Sequence, residues 1–261
     1  MIKNNIFYIV NIYIIVPFLI YGAITEILSK KIDKYTYKLL NWRGIIIIGS
    51  IGTVVHELSH LIAAIAIHRK IKEIKLLRPI AGKKDKILGY VKYENKKGLL
   101  SPIGDFFISV APMIVGTIII YIIVIIMDKD IVRCVVRALN AKDYNISIKP
   151  SIFFEICKSI KEQPDNKSVF PLILLTTSIS SRMSMSITDI RNSVRGLIAI
   201  EVLLGITAYI LYKQSISCKN FLYHIELISM FSVVLMIIGT ITMLATILVL
   251  SMISRVKKFN I

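Results

Sequence analysis

Cysteine is scarce and scattered. Cys134, Cys157 and Cys218 are odd in number and form no Cys-x-x-Cys pair, which excludes a disulfide framework and a thiolate metal site of the usual spacing. Acidic residues are also few, 16 Asp and Glu against 33 Lys and Arg, for a formal net charge of +17. Such an excess invites a nucleic-acid reading. Yet there is no groove-reading motif and no basic patch interleaved with aromatics, so nucleic acid is excluded as a partner. The basic residues fall between apolar runs, where they would meet the anionic head groups of a lipid bilayer. Internal repeats and low-complexity tracts are absent, as are the many short alternating strands that a closed transmembrane barrel requires. Histidine occurs only four times, so the placement of any two together is informative.

What the chain does have is long apolar runs. Hydrophobic residues make up 55% of it, and they are collected in blocks. Runs at about 6–28, 45–68, 103–127, 197–212 and 225–253 approach or exceed the roughly 20 helical residues that cross a hydrocarbon core. A sixth, at 169–188, is weaker and rich in Ser and Thr. The pattern predicts an all-α polytopic membrane protein with about six transmembrane helices, a single membrane domain over 1–261, multi-pass in the cell membrane. Lys3 precedes the first run as in a signal peptide. That run is nevertheless about 20 residues long and lacks a small-x-small cleavage site, so it is read as a span.

Between the second and third runs, I-K-E-I-K-L and I-L-G-Y-V-K-Y flank a Pro/Gly/Lys/Asp turn region. They predict a short β-hairpin at the membrane surface; a basic loop lying on lipid is the plainer alternative. Within the polar connection 128–168, S-I-F-F-E-I-C-K-S-I-K-E places apolar residues at helical spacing and fits an interfacial helix. With six spans the positive-inside rule slightly favours a cytoplasmic N-terminus. The whole 69–98 segment then falls on the cytoplasmic side and Lys30, Lys31, Lys34, Lys38 and Arg43 on the other.

Residues 53–65 read T-V-V-H-E-L-S-H-L-I-A-A-I. His56, Glu57 and His60 spell His-Glu-x-x-His inside an apolar run. On a helix, positions i and i+4 share a face about 6 Å apart, so two imidazoles can grip one Zn2+. The intervening glutamate then stands beside the open coordination position, placed to take a proton from water there. Ionisable groups inside a span cost about 3 kcal/mol each on insertion scales and tend to be kept where they serve a function. The alternative is three residues that satisfy one another by hydrogen bonds within a helix bundle. His68 and His224 lie near the ends of runs, where a half-wet histidine is ordinary.

A His-Glu-x-x-His within a span, followed by a basic β-like segment and another span, resembles the site-2 protease family of intramembrane zinc metalloproteases. Residues 106–116, F-F-I-S-V-A-P-M-I-V-G, are similar to that family's Gly-Pro motif in the next span, with Ala111 before Pro112. The family's third zinc ligand is an Asp in a later helix, usually preceded by Asn and Pro and followed by Gly. Here S-M-S-I-T-D-I-R-N-S-V-R-G, residues 184–196, offers Asp189, with Ile190 in the place of Gly and no Pro or Asn before it. The resemblance covers about 45–127 and 170–212, a catalytic core of about 45–212. It implies an intramembrane zinc endopeptidase acting on a membrane-spanning protein or peptide. In it His56, His60 and Asp189 would hold Zn2+, Glu57 would be the general base, and the 69–98 segment would hold an unwound substrate strand by edge pairing.

The residues themselves leave alternatives open. Ser186-x-x-Asp189 is also the pattern of a helix N-cap with its reciprocal carboxylate. Asp105 competes as third ligand, and Glu201 and Glu226 lie in later runs. The hydroxyls of T-T-S-I-S-S-R-M-S-M-S-I-T suit either hydrogen bonding between helices or a wet cavity. A reading from a different class is a non-catalytic polytopic membrane protein, with a transport, immunity or scaffold role and an inactive or coincidental His-Glu-x-x-His.

Overall fold

A computed structural model of the chain describes residues 6–94, 98, 101–127, 169–214 and 218–259. Cys134, Cys157 and the interfacial helix expected at 151–162 lie outside the described residues.

Helix α1 (Ile6–Val10) passes through one π-helical turn (Asn11–Ile15) into α2 (Val16–Ala66). The runs expected at 6–28 and 45–68 thus belong to one helical stretch of 61 residues. At 1.5 Å per residue a straight helix of that length measures about 90 Å, three times a hydrocarbon core. Asn41, with φ 55° and ψ −150°, lies far from helical geometry and breaks it into two arms. The arms fold back on each other, since Ile48 of the second packs on the same cluster as Leu28, Ile32, Tyr35 and Leu39 of the first. Those four recur at helical spacing, which is why the lysine-rich stretch between the apolar runs stays helical.

The second arm ends in a Schellman motif. His68 takes a positive φ of 56°, its N–H donates to Ile65 O, and Arg69 N–H donates to Ala64 O. The reversal launches the β-hairpin, with β1 (Ile71–Lys75) antiparallel to β2 (Tyr90–Tyr93) and a short α3 (Gly82–Asp85) at its tip. The hairpin expected from the sequence is present, and it runs back along the second arm. Gly89 packs against Glu57 halfway along, and at the far end Trp42 Nε1 donates to Pro79 O at 2.7 Å.

Helices α4 (Ser101–Met127), α5 (Val169–Ser180), α6 (Ile187–Lys213) and α7 (Lys219–Phe259) complete the described fold. Among the described residues four stretches are long and apolar enough to cross a membrane: Ile6–Ala66, Ser101–Ile123, Thr188–Lys213 and His224–Val256. The run expected at 169–188 yields only the 12-residue α5, about 18 Å long. The next helix begins at Ile187, earlier than the expected 197.

The interior collects hydroxyls and the surface collects isoleucines. Thr25, Thr36, Ser59, Thr176 and Ser180 are buried, whereas Ile47, Ile51, Leu58, Ile62 and Ile65 expose one face of the second arm. Polar groups inside and branched aliphatics outside invert the water-soluble pattern and suit an apolar surrounding. The largest apolar cluster joins Tyr21, Met113, Ile120, Ile179, Met183 and Leu235 across four helices.

Candidate metal centre

His56 and His60 lie one turn apart on the second arm of α2, with their Nε2 atoms 3.0 Å apart. The other nitrogen of each ring meets a backbone carbonyl. His56 Nδ1 is 2.5 Å from Arg182 O, and His60 Nδ1 is 2.8 Å from Ile108 O. A carbonyl only accepts, so both imidazoles carry their proton on Nδ1. Two Nε2 lone pairs therefore face each other, an arrangement that repels unless a cation lies between them. Zn–N bonds of 2.0–2.1 Å in a tetrahedral site set two imidazole nitrogens about 3.3 Å apart, close to the spacing found. A ring N–H held by an oxygen is also how metal-ligating histidines are oriented.

Both carbonyls are free for a reason. Pro112 of α4 has no N–H, so the carbonyl four residues earlier, that of Ile108, has no donor within its own helix. Arg182 follows the end of α5, where the last carbonyls of a helix lack intrahelical partners. The close approach that brings Arg182 to the second arm depends on Gly52, where an added Cβ would run into Ser178 O. Gly52 N–H donates to Ser178 Oγ at 3.0 Å.

Asp189 comes to the same point from the first turn of α6. Its capping role is as expected: Ser186 N donates to Asp189 Oδ2 at 3.0 Å, and Asp189 N donates to Ser186 Oγ at 3.1 Å. The cap and the approach to histidine coexist, because the same Oδ2 lies 3.7 Å from His60 Nε2. One ligand atom each from His56, His60 and Asp189 lie within 4.8 Å of one another.

The competing carboxylates are engaged elsewhere. Asp105 Oδ1 accepts from Arg69 Nη2 at 2.6 Å, and that guanidinium also donates to Ser101 O and Oγ. Glu201 accepts from Asn11 at 3.0 Å, and Glu226 lies near Tyr13. Among the described residues His56, His60 and Asp189 are the one such group. Compared with models of known protein families, with curated proteins and with solved structures, the chain matches none.

The three residues can hold a metal ion by geometry and donor type. Glu57 is buried next to them, and the backbone of Val91 in β2 supplies its hydrogen-bonding neighbour. Gly89 matters here, since a Cβ at that position would lie 2.8 Å from Glu57 Cγ and push the strand off the helix. Tyr93, at the end of β2, has its phenol pKa raised, first by burial and then by the carboxylates of Asp105 and Asp189. His68 serves as the helix terminator described above.

Sequence reasoning missed Ile108, Arg182 and Asp33, the last of which pairs with Arg182. Ile108 was findable, because Pro112 announces a free carbonyl four positions upstream. Asp33 stands out as the acid among Lys30, Lys31 and Lys34.

Proposed function

We propose that this protein is an intramembrane zinc endopeptidase of the site-2 protease kind, multi-pass in the cell membrane, cleaving a membrane-spanning protein or peptide. The observation that carries the reading is the convergence of two Nδ1-protonated imidazoles and one carboxylate within an otherwise apolar helix stretch, next to a buried glutamate. Two nitrogens and one oxygen form a donor set that suits Zn2+ and leaves a coordination position open. Zinc held there by His56, His60 and Asp189 would supply a Lewis acid and lower the pKa of water beside it. Glu57 would be the base that takes a proton from that water and returns it to the leaving amine. A substrate helix must unwind first, since its own hydrogen bonds shield the scissile carbonyl. The outer edge of β2, the strand beside Glu57, is suited to pair with the unwound segment.

The test is Glu57→Gln in the full-length protein with a membrane-tethered peptide substrate. The variant is expected to retain zinc at the level of the unaltered chain and to lose cleavage. Cleavage at the original rate would remove Glu57 as the base. A well-folded unaltered chain with no zinc would leave the non-catalytic reading in its place.

A further inference from the structure

We propose that Asp33 is a positioning residue for the metal centre, acting through Arg182 from the first arm of α2. The proposal rests on the metal-binding reading above and names a part of it that lies outside the His-Glu-x-x-His helix.

Arg182 stands in the turn between α5 and α6 and works at both ends. Its backbone carbonyl accepts the Nδ1–H of His56. Its guanidinium crosses the second arm over Gly49 and Gly52, where an added Cβ would lie 2.6 Å from Arg182 Nη2 and 3.0 Å from Arg182 Cγ respectively. The fork then closes on Asp33, with Nη1–Oδ2 at 3.0 Å and Nη2–Oδ1 at 2.7 Å. Nε is buried without a partner, so Asp33 provides the acceptors of this guanidinium among the described residues. Four positions after Arg182 the same turn reaches Ser186, the cap that holds Asp189. One side chain thus fixes the turn that orients a histidine at its start and presents a carboxylate at its end.

The energetics favour positioning over bulk stability. With side-chain exposures of 19% for Arg182 and 37% for Asp33, the pair contributes little to the folding free energy after screening. A bidentate fork still fixes direction and distance tightly. A shift of the first arm would be felt at His56 and Asp189 together.

The experiment uses the full-length protein in detergent with Co2+, whose visible absorption bands report ligand geometry. Affinity is read by competition with a chelator. Asp33→Asn is expected to weaken Co2+ binding about tenfold, the lower end of what disturbing a ligand's outer partner costs. Its bands should shift while its thermal unfolding midpoint stays close to that of the unaltered chain. Asp33→Glu, which keeps the charge and the fork, should bind as the unaltered chain does. Unchanged affinity and bands in Asp33→Asn would overturn the proposal. So would equal losses of binding and thermal stability in both variants, which mark a structural pair only. An unaltered chain that binds no Co2+ overturns the metal reading itself, and this proposal with it.

Discussion

Pro112 sits on α4, outside the His56, His60 and Asp189 group, yet it decides which acceptor His60 finds. The carbonyl it leaves free is the acceptor of His60 Nδ1–H. Pro112→Ala restores a helical donor to Ile108 O and improves helix propensity, so the helix survives while the imidazole loses its exclusive partner. Metal affinity is expected to fall about tenfold, measured by chelator competition. Asp105 and Asp189 should separate cleanly. Asp189→Ala is expected to lose the metal. Asp105→Ala should keep it, while lowering stability by about 3 kcal/mol through the stranded Arg69, whose side chain is 1% exposed; metal content and the unfolding midpoint distinguish the two. The His56, Glu57 and His60 trio was legible because its geometry is set within one helix by spacing alone. Asp189 was legible as a cap, and its approach to His60 needed the tertiary fold. Arg182 and Ile108 act through backbone carbonyls, which every residue type possesses, so residue identity says little about them.

At the scale of elements, packing of the second arm on α5 is set by Gly52. Gly52→Ala introduces a Cβ that meets Ser178 O, so α5 must back away and carry Arg182 with it. Loss of metal together with a lowered unfolding midpoint is expected, unlike the outcome for Asp33→Asn. The hairpin has its own pH window. The Tyr90 hydroxyl, at 2.5 Å, and Lys92, at 2.9 Å, both donate to Glu73. The tyrosine bond and then Lys92 hold the Glu73 carboxyl below its usual 4.5, while Glu73 raises Lys92 above its usual 10.5. A lowered acid contributes stability above its ordinary value and loses it as pH falls through the lowered one. A raised base contributes below its ordinary value and loses it as pH rises through the raised one. Amide protection in β1 and β2 should therefore plateau between about pH 5 and 10 and decline on either side. The strands themselves were readable from β-branched and aromatic residues around a turn. Their course along α2 was not, because it follows from the left-handed turn at His68 and the bond from Trp42 to Pro79. Likewise Asn41 looks like one polar residue in a loop until the cluster of Leu28, Ile32 and Ile48 folds the two arms together.

For the whole molecule, the course of the hairpin changes which charges share an end. Lys30, Lys34, Lys38 and Arg43 flank the break at Asn41. The tip of the hairpin joins them, because Trp42 holds Pro79 and lies within 3.2 Å of a Cβ built on Gly82. Lys83 and Lys84 of α3 thus arrive at the Asn41 end. Leu250 of α7 packs with Leu28 and Ile32, which brings Arg255 to the same end about one turn further on. Basic residues gathered at one end of a set of spans favour the cytoplasmic leaflet, through retention during insertion and attraction to anionic lipid. The expected orientation therefore has the Asn41 end in the cytoplasm and the start of α1 outside, the reverse of what the linear order of charges favoured. Lys84→Cys, in a chain with the native cysteines replaced, should react with a membrane-impermeant maleimide in inverted vesicles and not in intact cells. Native Cys218 precedes α7, about 48 Å of helix away from Leu250 at 1.5 Å per residue. Kept alone, it should show the opposite pattern. Labelling of both positions from one side would mean that the hairpin tip does not reach the Asn41 end in the membrane. Reversed labelling of both would keep the fold and invert its orientation.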